Sequence, residues 1–296
     1  MSNKRLGIYL AVTFGLSWGL WIPAGILTGS YQNGLESSQM MMGIVALGMF
    51  FPLVGALIAN AAVPKDDRFD LHLRPQIRSN IKYYLLAWFM PAVVTLVGST
   101  LFFLVFPQLF DTSVPQVKES LEQAGMSQDL VVPVILSQIL SAITLAPLIN
   151  AIPGFGEEVG WRGMLYPTLC EQMSPRKAVL VHGVIWGLWH APITAMGHNY
   201  GRDYVGFPVL GIVVMIVFCT SIGCLLCWLI ERSKSIWTCA VAHGAINAIL
   251  NTGVVFCSAG QTLFGPSPAG LVAGLPLLAL AIVCWRRMPD DASQQI

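Results

Sequence analysis

The sequence has 296 residues, of which 55% are hydrophobic and only 10% are charged, and its formal net charge is +1. A soluble core of this size does not need so much apolar surface. The composition therefore excludes an ordinary soluble domain and indicates an integral membrane protein. The near-zero charge also gives no indication of nucleic acid or another acidic partner.

Apolar runs of about 20 residues, long enough to cross a bilayer, follow one another along most of the chain. Their connections are short except at 64–80 and 107–130, and no change of composition marks a second domain. We predict an all-α fold, in which residues 1–296 form a single polytopic membrane helix bundle with about eight transmembrane helices. The predicted runs are 6–28, 40–63, 81–106, 131–152, 178–197, 207–230, 236–256 and 268–285.

Lysine and arginine are distributed unevenly between the two sides of this predicted bundle. With the N-terminus in the cytoplasm, fourteen of the sixteen cations fall on the cytoplasmic side, and only Lys118 and Arg202 fall on the other. This is the distribution that the positive-inside rule describes. Both termini are then cytoplasmic, and the short tails and loops suit a multi-pass protein of a prokaryotic plasma membrane.

In this arrangement the segment 153–175 begins and ends on the cytoplasmic side, and it is too short and too polar for a return crossing. We expect a short additional helix there, set off from the preceding run by a break at Pro153 and Gly154. Glu157 and Glu158 then lie in its first turn, where the helix dipole stabilises negative charge.

Three sets of ionisable or amide side chains interrupt otherwise apolar sequence. Burying any of them in a bilayer is costly unless partners satisfy it, so we expect the three sets to satisfy one another. They are Glu157 and Glu158 with Arg162, then His182 and His190, and then His243 with Asn247.

Helical spacing gives the two glutamates different partners. Residues four apart share a helix face, whereas neighbours are about 100° apart, so Arg162 pairs with Glu158 and Glu157 points elsewhere. An ionised Glu157 that faces a cavity can act as a general base towards water. For Glu158 and Arg162, an ordinary helix start with a purely structural role is the alternative.

The histidines extend this pattern. His190 follows Trp186 by four residues, near the end of its helix, while His243 and Asn247 present an imidazole and an amide on one face. Two such donors suit the stabilisation of a developing oxyanion. The alternative for all of them is interhelical hydrogen bonding. His182, two turns before His190, is expected to support the site from behind.

The remaining histidines and the cysteines are assigned no catalytic role. His72 and His198 lie in polar connections and are expected at the surface. Cys224 and Cys227 form a Cys-x-x-Cys sequence within one apolar helix, where small apolar packing is the expected role.

In order and spacing, the three polar sets resemble the signature of the CAAX proteases and bacteriocin-processing enzymes. This family, also called the CPBP or Abi family, includes the Ras-converting type of prenyl-protein endopeptidase. The matching motifs are Glu157-Glu158-x-x-x-Arg162, Trp186-x-x-x-His190 and His243-x-x-x-Asn247. The resemblance covers about residues 130–250, the expected catalytic core, and residues 1–129 are expected to complete the bundle.

The resemblance implies an intramembrane glutamate endopeptidase whose site opens towards the cytoplasm. The residues that match Glu157 and His190 activate water, and those that match His243 and Asn247 stabilise the oxyanion. Because Asn247 is a poor metal ligand and a good donor, we favour a reaction without a cofactor. Glu158, Arg162, Trp186 and His182 support these four. The implied substrate is a membrane-associated peptide, either a prenylated CAAX-type protein or a leader-bearing peptide.

Three alternatives remain at this stage. A zinc protease would use Glu157, His190 and His243 as ligands and leave one position open for water, although the chain lacks a His-Glu-x-x-His helix. A silent immunity or scaffold protein of the same family would keep the fold without the chemistry. A proton-coupled transporter would also place carboxylates and histidines in the membrane.

Overall fold

The computed structural model describes residues 2–29 and 35–290, and most of these residues are helical. The described residues form no β-strand, and extended pairing is limited to isolated bridges such as Phe110 with Cys257. The helices are α1 (Ser2–Thr28), α2 (Leu35–Gly48), α3 (Phe51–Ala61), α4 (Ile77–Val105), α5 (Pro115–Gln123), α6 (Val131–Ile143), α7 (Ala146–Gly160), α8 (Tyr166–Cys170), α9 (Pro175–Trp189), α10 (Ala191–Ala195), α11 (Val209–Ser233), α12 (Ile236–Ile249) and α13 (Leu275–Arg286).

The all-α membrane fold is confirmed, but the number of eight crossings is not. Five helical segments of the described chain are long and apolar enough to span a bilayer, and a bent pair formed by Gln128–Ile143 and Ala146–Cys170 adds a sixth. The predicted runs 178–197 and 268–285 contain the shorter helices α9 and α13, of 15 and 12 residues. The five long segments are Asn3–Thr28, Ser37–Ala61, Ile77–Val105, Val209–Ser233 and Ile236–Phe256.

The outer surface of the bundle is apolar. On α4, the side chains of Leu96 and Leu104 are 69% and 75% exposed. Exposing such surface to water over a whole helix face is unfavourable, whereas lipid chains accommodate it. The chain is therefore an integral membrane protein.

The break before the glutamates lies elsewhere than predicted. Helix α7 continues through Pro153, and the chain bends by 51° at Thr144 and Leu145, between α6 and α7. Breaking a helix within the membrane would leave more backbone groups unbonded than the single hydrogen bond that a proline removes. The helix therefore tolerates Pro153.

As a consequence, Glu157 and Glu158 lie in the last turn of α7 and not in a first turn. The predicted stabilisation by a helix N-terminus is wrong. The chain then runs without interruption through a π-helical turn, Trp161–Leu165, into α8. Such wide turns occur often at functional sites.

Helix α12 runs through the centre of the bundle and packs closely against α7. A Cβ atom at Gly244 would lie 2.4 Å from the carbonyl oxygen of Pro147 and 2.5 Å from the backbone nitrogen of Ala151. Only a glycine permits this approach, which is the means by which small residues bring membrane helices together. The polar residues of α12 are thereby held beside the glutamates of α7.

One end of the bundle gathers most of the cations, and we call it the cation-rich end. The beginnings of α1, α4, α9 and α12 meet there with the ends of α3, α8, α11 and α13. The contacts that establish this are an ion pair of Arg5 with Glu171, a hydrogen bond from Asn80 Nδ2 to the Ser233 carbonyl (2.8 Å), and one from Arg176 Nη2 to the Arg286 carbonyl (2.8 Å).

The opposite end, which we call the loop end, includes three described connections that contact one another. The Asp111 backbone nitrogen donates to the carbonyl of Phe256 (2.9 Å), and the Tyr200 hydroxyl donates to the carbonyl of Ala269 (2.9 Å). The segments after α4, after α10 and after α12 therefore pack against one another at this end.

Candidate active site

A central cavity of about 1290 Å³ brings the predicted catalytic side chains together. Glu157 from α7, His190 from the end of α9, and His243 and Asn247 from α12 all line it. Three helices that are distant in sequence thus contribute to one space.

The Glu157 carboxylate is held by two tryptophans. Its Oε2 accepts hydrogen bonds from the indole Nε1 of Trp161 and from the indole Nε1 of Trp186, both at 2.8 Å. The side chain is buried, and its second oxygen, Oε1, lies 3.9 Å from Nε2 of His243. One oxygen is thus fixed while the other is left for chemistry at the cavity.

The predicted pair of Glu158 and Arg162 is confirmed. Arg162 Nη1 lies 2.8 Å from Oε1 of Glu158, and both side chains are fully buried. The same oxygen also contacts His243 Nδ1 at 2.7 Å, a partner that helix spacing did not predict. The guanidinium lies over the ring of Trp186, 4.3 Å from its centroid.

The contact with Glu158 fixes the orientation of the His243 ring. A carboxylate only accepts, so Nδ1 carries a proton and Nε2 faces Glu157 and the cavity. In the neutral ring Nε2 is an acceptor. Donation from Nε2 to an oxyanion therefore requires the imidazolium form, in which both nitrogens carry protons.

His190 is oriented by the backbone of Trp186. Its Nδ1 lies 2.9 Å from that carbonyl oxygen and 3.7 Å from the Cys219 sulfur. Since the carbonyl can only accept, the neutral ring keeps an unprotonated Nε2. No hydrogen bond joins His190 to Glu157 in the described chain. Trp186 connects them, with its indole on Glu157 and its carbonyl on His190.

The supporting residues differ from expectation in three places. His182 is fully buried against the rings of Trp161 and Trp186, behind the cavity wall. His198, expected at the surface, lines the cavity. Trp161 and Cys219 were not predicted. Cys219 carries no sequence signal, whereas Trp161 stands four residues after Glu157, the same spacing that identified Arg162 for Glu158.

The three residues that would ligate zinc do not fit one ion in this geometry. The atoms that these residues leave unbonded are Oε1 of Glu157 and the Nε2 atoms of the two histidines, and they do not form a ligand group around one point. Over residues 2–29 and 35–290, no three His, Cys, Asp or Glu side chains are arranged to hold a metal. No step below is therefore routed through a metal.

Replacing Trp186 by phenylalanine is expected to lower kcat/KM about ten- to a hundredfold. The change removes one of two donors to Glu157, and a hydrogen bond to a charged group contributes about 1.5–3 kcal/mol. Trp161→Phe should act similarly. The measurement is a rate of peptide cleavage at matched amounts of folded protein.

Trp285→Phe is the matched control, because its indole donates to the Arg176 carbonyl at the cation-rich end, remote from the cavity. Equal activity in Trp186→Phe and Trp285→Phe would show that the indole donors do not position Glu157. Thermal unfolding of the three variants separates this effect from a loss of stability.

Comparison with known proteins agrees with the geometry. Residues 135–249, from α6 to α12, match the family described as type II CAAX prenyl endopeptidase Rce1-like. Over this region the chain is similar to the Rce1-like family. It is also 26% identical over 266 residues to the CAAX prenyl protease 2 of Methanococcus maripaludis, which covers 84% of this chain and 89% of that protein. Both matches indicate a protease, and the matched region includes Glu157, His190, His243 and Asn247.

Proposed function

We propose that this protein is an intramembrane endopeptidase that hydrolyses a peptide bond of a membrane-associated peptide. The substrate is a prenylated CAAX-type protein or a leader-bearing peptide. The observation that carries the proposal is the buried Glu157 carboxylate, fixed through Oε2 and free through Oε1, on a cavity that His190, His243 and Asn247 also line.

In the first step Glu157 and His190 activate a water molecule. Glu157 takes a proton from the water as the oxygen attacks the carbonyl carbon of the scissile bond, and the unprotonated Nε2 of His190 accepts a second hydrogen bond from the same water. The C–O bond forms while the electrons of the C=O bond move onto oxygen. A tetrahedral oxyanion results.

His243 and Asn247 stabilise that oxyanion. The amide of Asn247 and the imidazolium of His243 are fixed on one helix, one turn apart, so they need little reorganisation as charge develops. In the second step the C–N bond breaks and Glu157 returns its proton to the leaving amine. The carboxylate is thereby regenerated.

The size of the cavity supports a peptide substrate. A typical small-molecule pocket has a volume of about 300–1,000 Å³, and this cavity, of about 1290 Å³, exceeds that range. Apolar walls from α2, α6 and α11 adjoin the polar residues, which suits a peptide attached to a lipid chain or a membrane segment.

We further propose that the helices before residue 130 belong to the same single domain, 1–296, and complete the catalytic core of 130–250. Helix α3 packs directly behind the glutamates. A Cβ atom at Gly160 would lie 2.4 Å from the Pro52 side chain, and one at Gly156 would lie 2.8 Å from the Met49 carbonyl.

The test is cleavage of a farnesylated CAAX peptide by the purified protein in detergent, compared with a leader-type membrane peptide. We expect wild type to cleave at least one of them, with and without a chelator, and His190→Ala to lose the activity while remaining folded. His190→Ala removes the acceptor for the attacking water.

Retained cleavage in His190→Ala would contradict the role of His190. Loss of wild-type activity with the chelator and its return with zinc would favour the zinc mechanism. Biological function that persists without any cleavage would support an immunity or scaffold protein, and ion flux that depends on Glu157 would support a transporter.

A further inference from the structure

Two buried side chains behind the candidate active site have polar atoms without partners. Arg162 is 1% exposed and His182 is 0% exposed. The guanidinium donates from Nη1 to Glu158, whereas its Nε and Nη2, and both ring nitrogens of His182, have no hydrogen-bond partner among the described residues. Burying such groups unbonded is costly, so each of them calls for an explanation.

Gly223 of α11 lies next to both side chains. A Cβ atom on this glycine would lie 3.6 Å from Nδ1 of His182 and 3.8 Å from Nη2 of Arg162, and no other described side chain or neighbouring helix comes nearer. The two nitrogens therefore border the same small space.

The glycines of the facing helix have a different role. A Cβ atom at Gly183 or Gly187 of α9 would lie 2.5 Å from the backbone of α11, so these two glycines permit the helices to pack closely. At Gly223 the small residue instead leaves room beside two unpartnered nitrogens. Room beside polar atoms is the condition under which an internal water molecule is stable.

We propose that a buried water molecule binds beside Gly223 and bridges Nη2 of Arg162 and Nδ1 of His182. His182 thereby acts through this water as a positioning residue for the candidate active site. The water site itself is independent of proteolysis, and only its effect on turnover rests on the proposed function.

The two side chains offer the water complementary contacts. A guanidinium only donates, so the water accepts from Nη2 of Arg162. The His182 ring is neutral, because a second buried cation beside Arg162 would have no counter-ion. Its Nδ1 accepts from the water, and Nε2 carries the ring proton. Two such hydrogen bonds are within the range that internal waters make.

The bridge adds one member to the chain of contacts behind the site. Oε1 of Glu158 accepts from Arg162 and contacts Nδ1 of His243 at 2.7 Å. A guanidinium that is held from two sides fixes this carboxylate, and the carboxylate orients the imidazole. His182 is not among the described residues that line the cavity, so it acts through Arg162 and not on the substrate.

Gly223→Ala and Gly223→Ser test the water site. Alanine in a helix normally raises stability relative to glycine, and the distances above exclude a clash, but the methyl group takes the place of the water. We expect Gly223→Ala to lower the midpoint of thermal unfolding in detergent by several degrees. Gly223→Ser supplies a hydroxyl group in place of the water, so its midpoint should stay close to that of wild type.

Gly19→Ala is the matched control, because Gly19 is an exposed residue of α1 with no atom within 4 Å of its Cβ position. An unchanged or higher midpoint is expected for it. A Gly223→Ala variant as stable as wild type, or a Gly223→Ser variant no more stable than Gly223→Ala, would overturn the water site.

Replacements of His182 test its positioning role. Leucine cannot accept a hydrogen bond from the water, whereas the amide oxygen of glutamine can. For a membrane peptide that wild type cleaves, we expect His182→Leu to lower kcat about tenfold, the effect of one hydrogen bond, with KM unchanged. His182→Gln should recover most of this loss. A change in KM alone, or an equal loss of kcat in both variants, would contradict the positioning role.

The two proposals fail in different ways. If wild type cleaves no membrane peptide, the proposed function fails, while the unfolding midpoints of the Gly223 variants still decide the water site. If wild type cleaves the peptide and Gly223→Ser restores no stability, the water site fails and the protease function stands. A crystal structure that resolves internal waters should show one within about 3.2 Å of both nitrogens, and other internal waters without this one would overturn the proposal.

Discussion

Glu157→Gln is expected to lower kcat/KM about 10²- to 10⁴-fold, the usual contribution of a general base. The amide has nearly the same shape as the carboxylate, and its oxygen can still accept from Trp161 and Trp186. The fold should therefore persist while proton transfer from water is lost. Cleavage of the membrane peptide at matched amounts of folded protein measures the effect.

Glu171→Gln is the matched control for this substitution. It removes the same charge at the cation-rich end, where Glu171 pairs with Arg5 and does not adjoin the cavity. Activity close to that of wild type is expected. If Glu157→Gln and Glu171→Gln cleave the peptide equally well, Glu157 is not the base.

Arg162→Met is expected to lower the free energy of unfolding by about 3–5 kcal/mol, because it leaves the Glu158 carboxylate buried without its cation. Arg162 is 1% exposed, and its Nη1 lies 2.8 Å from Oε1 of Glu158. Methionine fills much of the same space, so lost packing is a smaller part of the effect. Thermal unfolding in detergent measures it.

The double variant Arg162→Met with Glu158→Gln separates charge from packing. Removing both members of a buried pair is often close to neutral, so the double variant should recover most of the lost stability. Lys65→Met, on the exposed loop of the cation-rich end, is a surface control with little expected effect. A double variant no more stable than Arg162→Met would contradict the ion-pair explanation.

Helical periodicity was sufficient to pair Glu158 with Arg162 and to separate Glu157 from them. The same spacing places Trp161 on the helix face of Glu157, but spacing alone does not show whether an indole packs or donates. The bend at Thr144 was missed because Pro153 is the stronger local signal, and only the surrounding bundle shows that α7 tolerates it. Run length alone also leaves the eight crossings unconfirmed, since α9 and α13 have only 15 and 12 residues.

The set of loops that line the cavity could not be predicted from one sequence. It depends on which loops meet beyond Glu157, and those contacts join residues more than a hundred positions apart, such as Asp111 with Phe256. Counting lysines and arginines along the chain predicted that most of them lie at one end of the bundle, as the structure shows apart from Arg162.

One oxygen atom belongs both to the buried ion pair and to the candidate active site. Oε1 of Glu158 accepts from Arg162 and contacts His243 Nδ1. The ion pair that stabilises the buried interior therefore also fixes the orientation of the His243 ring. Glu157 accepts from two indoles but pairs with no arginine, and a glutamine in its place could still accept from both. A lineage that abandoned proteolysis would thus be free to lose Glu157 first, while Glu158 and Arg162 would persist for as long as the helices must assemble.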